Sequence, residues 1–263
     1  MAELISRPLV EIAQGLRERR LTSQEVVEAA IARHERFGER LHAYCLWTPE
    51  KACETAKAAD AAFASGARRA APGHTDLDQR PLRGRRLAML RWFEPSPSGR
   101  SLGEGRANRG DDTSATRPHR GKTHMVEFAF GGTGLNSHHG APYNPWDATT
   151  HRSPGGSSSG AGVSLLEGSA FLALGSDTAD SVRIPACMTG TVGLKVTIGR
   201  WSAEGVVPLS HTFDTPGLLA RSVSDAAYGF AALDPCMGDP AAFIARSSRN
   251  LAGTRIAVDD PFF

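Results

Sequence analysis

Two small-residue loops bracket a short apolar run, and this arrangement constrains the fold more than any other part of the chain. The first loop is Ser153-Pro154-Gly155-Gly156-Ser157-Ser158-Ser159-Gly160, and the second runs from Asp177-Thr178-Ala179-Asp180-Ser181 to Val182-Arg183-Ile184-Pro185. Between them lies Ala170-Phe171-Leu172-Ala173-Leu174. Glycines in such loops let backbones approach closely. Ser157 and Ser181, 24 residues apart, are then the hydroxyls available for chemistry. A serine hydroxyl is a poor nucleophile until its proton is removed, and a second serine can carry that proton between base and nucleophile. Backbone N–H groups gathered in a small-residue turn can meet a developing oxyanion. The pair of loops therefore points to acyl transfer. An isolated Gly/Ser cluster would be read as a tight turn and nothing more.

The remainder of the chain bounds the class. With 263 residues, 40% of them apolar, there is enough material for one large α/β domain or two small ones. No apolar run reaches the length of a membrane span, and Met1 to Val10 lacks a basic-then-apolar leader pattern. Cys45, Cys53, Cys187 and Cys236 show no CxxC spacing, which suits reduced thiols in a cytoplasmic protein. The formal net charge of +2 does not argue for nucleic acid. Residues 83–120 differ from their surroundings: nine arginines and no lysine stand against four carboxylates. Their Gly, Pro, Ser and Arg content predicts loop or disorder.

Periodicity divides the chain. Residues 9–66 read as helical, with Thr22 and Glu25 forming a capping box and Val26, Val27, Ala30 and Ile31 supplying an apolar stripe. A further helix is expected from Pro49, with Ala52, Ala56, Ala59 and Phe63 on one face and Gly66 as its stop. Thr123 to Phe130 is helix-compatible, Gly131 to Gly134 is a turn, and Ser159 to Leu166 is a short helix. Ser169 to Gly175 reads as a strand buried on both faces, and Leu194 to Ile198 as a second strand. Pro185 is expected to open a helix at its first position, and Ser222 or Ser224 to start another. Strands alternating with helices define an α/β class.

Three other chemistries fail on their own terms. Gly121-Lys122-Thr123 ends like a phosphate-binding loop, but the required earlier glycine is Thr116 and no strand precedes it. His138-His139 lacks a second cluster of metal ligands. The arginines of 83–120 have only Trp92 and Phe93 beside them and no RNA-binding motif.

Several linked motifs, in order, make the chain resemble the amidase signature family. They are Gly121-Lys122-Thr123-His124-Met125-Val126-Glu127-Phe128-Ala129, Pro154 to Gly160, Ser181-Val182-Arg183-Ile184-Pro185, Gly193-Leu194-Lys195 and Gly205-Val206-Val207-Pro208-Leu209. The likeness is strong over 121–235 and weaker over 10–84. It implies a mixed β-sheet covered by helices, with one partial amidase domain over 1–263 that lacks the family's C-terminal part. It also implies hydrolysis of a linear, small-molecule amide without metal or organic cofactor. By the resemblance, Ser181 is the nucleophile and Ser157 the proton-relaying serine after a cis peptide bond. Thr178, Ala179, Asp180 and Ser158 are expected to serve the oxyanion and substrate.

Three departures accompany the likeness. The family lysine would stand at Leu90, and the chain's lysines are Lys51, Lys57, Lys122 and Lys195. Asp180 occupies part of a glycine pair, so its carboxylate is expected to oppose an oxyanion and its side chain to fit poorly on a glycine path. The interrupted likeness between Gly84 and Gly121 is what a shifted and restored reading frame would leave. Two alternatives follow. One is a catalytically inactive amidase-like remnant or interaction protein. The other is a protein like the family's amidotransferase subunit, which feeds ammonia to mischarged tRNA.

Overall fold

A computed structural model describes residues 2–64, 121–203, 206–234, 236–237, 239–247 and 252–255. The arginine-rich expectation for 83–120 and the stop at Gly66 lie outside them. Helices α1 (Ala2–Ser6), α2 (Leu9–Arg17), α3 (Ser23–Leu41) and α4 (Pro49–Ala64) form an N-terminal layer. The capping box is present: Glu25 N–H donates to Thr22 Oγ1 at 3.1 Å, and Thr22 N–H donates to Glu25 Oε2 at 2.8 Å. Asp60 of α4 adds a second cap, accepting from Ser23 N–H at 2.7 Å and Gln24 N–H at 3.1 Å.

The helical reading of 9–66 is interrupted by β1 (Tyr44–Trp47). His42, in the left-handed region at φ 51°, closes α3 and turns the chain into that strand. β1 pairs antiparallel with β2 (Gly121–Thr123). The helix expected at 123–130 is instead the end of β2 followed by a single 3₁₀ turn, Glu127–Ala129. Hydrogen bonds from His124 N–H to Ala43 O and from Val126 N–H to Ser157 O keep this stretch extended, and Phe128 and Ala129 take φ values of 52° and 58°.

The central sheet has the order β3 (Leu172–Asp177), β5 (Thr215–Ala220), β4 (Val192–Lys195). Both outer strands run antiparallel to β5 and hence parallel to each other. Helices α5 (Ser159–Glu167) and α6 (Arg183–Thr189) cover one face, where Leu165, Ala161, Val182 and Ala186 meet Ala173 and Leu219. Helix α7 (Val223–Leu233), capped by Ser222, brings Ala226 against Leu218 and Ala220 on the other. Leu218 and Leu219 thus point to opposite faces, as the two-residue strand period requires. Helix α8 (Pro240–Ser247) packs on α7.

The strand buried on both faces is therefore β5, not β3, in which only alternate residues are buried. Pro216 and Gly217 hide β5 from a propensity reading, yet Gly217 is required there, since an added Cβ would lie 2.7 Å from Leu194 O. The other shifts are small: β4 starts two residues before Leu194, and α6 begins at Arg183, leaving Pro185 inside the first turn. Proline is tolerated there because first-turn N–H groups have no helical acceptor.

Candidate active site

The Gly/Ser loop runs into the N-terminus of α5 and is buried throughout from Pro154 to Gly160. Its glycines are demanded by neighbouring backbone. A Cβ on Gly155, whose φ is +77°, would lie 2.9 Å from Pro185 Cα, and one on Gly156 would lie 2.6 Å from Gly131 O. The Gly156–Ser157 peptide bond is cis. Ser157 O accepts from Val126 N–H and Ser159 N–H, each at 2.9 Å. The Ser157 hydroxyl is fully buried and has no hydrogen-bond partner among the described residues.

The second loop leaves β3 at Asp177 and enters α6 after Ser181. Fully buried Asp177 accepts from Val182 N–H at 3.1 Å and from Arg183 Nε and Nη2 at 3.2 and 2.9 Å. Arg183 also donates to Ala179 O and pairs with Asp180 through Nη1 at 2.9 Å. Bonding to Asp177 raises the pKa of Arg183 and keeps it charged. One guanidinium thus spans both ends of the 177–180 turn. The N–H groups of Ala179, Asp180 and Ser181 donate to nothing among the described residues.

The two loops meet. Ser158 N–H donates to Ser181 O at 3.1 Å. Ser181, Gly156 and the 178–180 turn line one cleft of about 370 Å³, whose apolar wall includes Phe130, Ile184 and Leu209. Ser158 does not line it. Its N–H is taken by Ser181, and its hydroxyl packs where Gly175 leaves room, since a Cβ at Gly175 would lie 2.5 Å from Ser158 Oγ.

The expectation that Asp180 would fit poorly on its backbone path is corrected. The carboxylate is paired with Arg183, and Ala179 and Asp180 are absent from the positive-φ residues, so no glycine-only path is needed. Of the lysines, Lys195 Nζ donates to Val196 O, Lys122 stands opposite Leu46 in the β1–β2 pair, and Lys51 and Lys57 are exposed on α4. Among the described residues no cluster of His, Cys, Asp or Glu could hold a metal ion, and no helix is long and apolar enough to cross a membrane. The four cysteines are free thiols.

Three contributors were not assigned a role from sequence. Asp177 and Arg183 lie within the quoted motifs, and their spacing of six residues signals nothing until the turn brings them together. Asp214, whose carboxylate accepts from Thr178 Oγ1 at 2.5 Å, has no signal beyond preceding a strand.

Comparison with known proteins shows the family. The amidase family profile matches residues 118–258, and the chain belongs to the amidase signature family. It is 45% identical to the 2-amino-5-chloromuconic acid deaminase of Comamonas testosteroni over 86% of this chain and 49% of that protein. It is 37% identical to a glutamyl-tRNA(Gln) amidotransferase polypeptide of Anaeromyxobacter dehalogenans over 86% of this chain and 45% of that one. The fold matches the native peptide amidase of Stenotrophomonas maltophilia with a TM-score of 0.68 at 26% identity, covering 97% of this chain and 52% of that one. The chain spans about half the length of the curated relatives it matches.

Proposed function

We propose that this chain carries the nucleophile and proton relay of an amide hydrolase, R–CO–NH₂ plus water giving R–COOH plus ammonia. The Ser181 hydroxyl attacks the carbonyl carbon. Its proton passes to Ser157, whose own proton goes to the departing nitrogen, so ammonia leaves and the acyl group stays on Ser181. Water then cleaves the acyl-enzyme, and its proton restores the Ser181 hydroxyl along the same path. The N–H groups of Ala179, Asp180 and Ser181 face the negative charge that develops on the carbonyl oxygen. Each such donor in a preorganised site is worth about 2.7–4 kcal/mol of barrier. The observation that carries the reading is the Ser158–Ser181 backbone bond, which docks the loop of buried, unpartnered Ser157 onto the turn whose Ser181 opens into the cleft. The substrate class is a small linear amide, and the free cysteines suit a reduced, cytoplasmic setting.

One observation favours a second reading, a non-catalytic amidase-like protein. Leu90 stands where the family lysine belongs, and Leu cannot accept a proton. Loss of a general base costs about 10²–10⁴ in rate. Ammonia release from small aryl and aliphatic amides by the wild type and by Ser181→Ala separates the readings. The hydrolase reading expects slow release by the wild type that vanishes in Ser181→Ala, with melting temperature unchanged. Release that is equal in both proteins overturns it. Absence of release together with a stable co-purifying partner establishes the second reading.

A further inference from the structure

The 177–181 turn is held from two sides. On the inner side, buried Asp177 takes Val182 N–H and the Arg183 guanidinium. On the outer side stands Asp214, 36 residues further on, which accepts the Thr178 hydroxyl at 2.5 Å. The same carboxylate accepts Leu209 N–H at 2.9 Å and Ser210 N–H at 3.1 Å from each oxygen. The 209–214 segment is further closed by Asp214 N–H donating to Ser210 O at 2.9 Å. Leu209 and Thr178 both line the cleft. One carboxylate therefore joins a cleft wall to the turn that carries Ser181.

We propose that Asp214 is a positioning residue for the Ser181 site, holding the 178–181 turn and the Leu209 wall in one fixed relation through Thr178. The inference rests on the amide-hydrolase reading above. Ala179 and Asp180 are exposed, so Thr178 is the last residue at which the turn is fixed from the β5 side. An ionised carboxylate suits the task, because it accepts from three donors at once and has no proton of its own to place. Asparagine keeps one acceptor oxygen and presents an NH₂ group to a donor.

The test follows phosphonylation of Ser181 by a fluorophosphonate probe, which needs no turnover, beside amide hydrogen exchange at Leu209 and Ser210. Asp214→Asn and Thr178→Val are each expected to slow labelling by about tenfold, a geometric penalty of the size that small misplacements bring. The double variant is expected to be no slower than Asp214→Asn alone, because Thr178→Val removes a link that Asp214→Asn has already removed. Thr178→Ser, which restores the hydroxyl, is expected to label near the wild-type rate. Exchange at Leu209 and Ser210 should accelerate in Thr178→Val, although that substitution leaves their own bonds to Asp214 in place. Should Asp214→Asn fail to fold, the Thr178→Val and Thr178→Ser pair decides alone. Unchanged exchange in Thr178→Val overturns the link, and accelerated exchange with unchanged labelling overturns the positioning role. Penalties that multiply in the double variant overturn it as well. A wild type that never labels at Ser181 overturns the hydrolase reading and the positioning role together, whereas the exchange rates report on the link separately.

Discussion

In the N-terminal layer the contacts are made by side chains: Val27 of α3 meets Ala52 and Ala56 of α4, and Ala30 meets Ile5 and Ile12. Between Pro154 and Pro185 many of them are made by backbone. Gly160 sits where an added Cβ would lie 2.1 Å from Ala43 O and 2.4 Å from His124 N, and Gly156 is enclosed by the backbone of Gly131 and Gly134. The contrast has a physical cause. A helix satisfies its own backbone and offers side chains outward, so its packing tolerates change. Loops that must bring two backbones into contact have no slack, because close-packed main chain cannot be repacked by choosing another rotamer.

Substitutions sharpen that contrast. Gly160→Ala drives a methyl into two main-chain atoms and is expected to cost about 3 kcal/mol or more, read as a large drop in melting temperature or loss of soluble protein. A drop no larger than that of an alanine change in α4 would erase the distinction between the two regions. Thr22→Ala removes only a helix cap and is expected to cost about 1 kcal/mol, with labelling of Ser181 unaffected. A chemical denaturation curve measures it.

Acidification probes the join between the regions. His124 is buried, its backbone N–H bonds Ala43 O, and its carbonyl accepts from Gly160 N–H. Burial disfavours its imidazolium and outweighs the hydrogen bond from its ring to His139 O, which favours the charged form, so its pKa lies below the ordinary 6.5. On acidification the unfolded chain takes up this proton first. Stability intact above pH 6.5 is thus expected to fall as pH drops from 6.5 toward the lowered value. His124→Asn should flatten that part of the melting temperature–pH profile, and an unaltered slope would refute the assignment. The smallest effect is expected at Asp180→Asn. Its partner Arg183 keeps Asp177, so stability should change by no more than about 0.5 kcal/mol. A larger change in the unfolding midpoint would mean that the exposed pair matters more than the buried one.

How much of this was legible beforehand follows from the same contrast. The capping box at Thr22 and Glu25, the stripe through Ala52 and Ala56, and the start of α7 at Ser222 are local patterns. β5 escaped because Pro216 and Gly217 contradict strand propensity, and only its place between two partners makes it a strand. The 3₁₀ turn at Glu127 escaped for a related reason: its apolar spacing suits a helix, but bonds to Ala43 and Ser157 hold the chain extended. Ser157 and Ser181 stood out in the sequence as hydroxyls in small-residue loops. The reach of Arg183 across the turn and of Asp214 to Thr178 did not.

The order of residues alone determined the α/β class and the family and singled out the two serines as candidates, since local propensity and linked motifs are written along the chain. Tertiary structure alone decided that Ser158 stays out of the cleft lining and that Asp214 reaches Thr178. Each of these depends on distances between groups brought together by the fold, and such distances exist only once the sheet and its helices have packed.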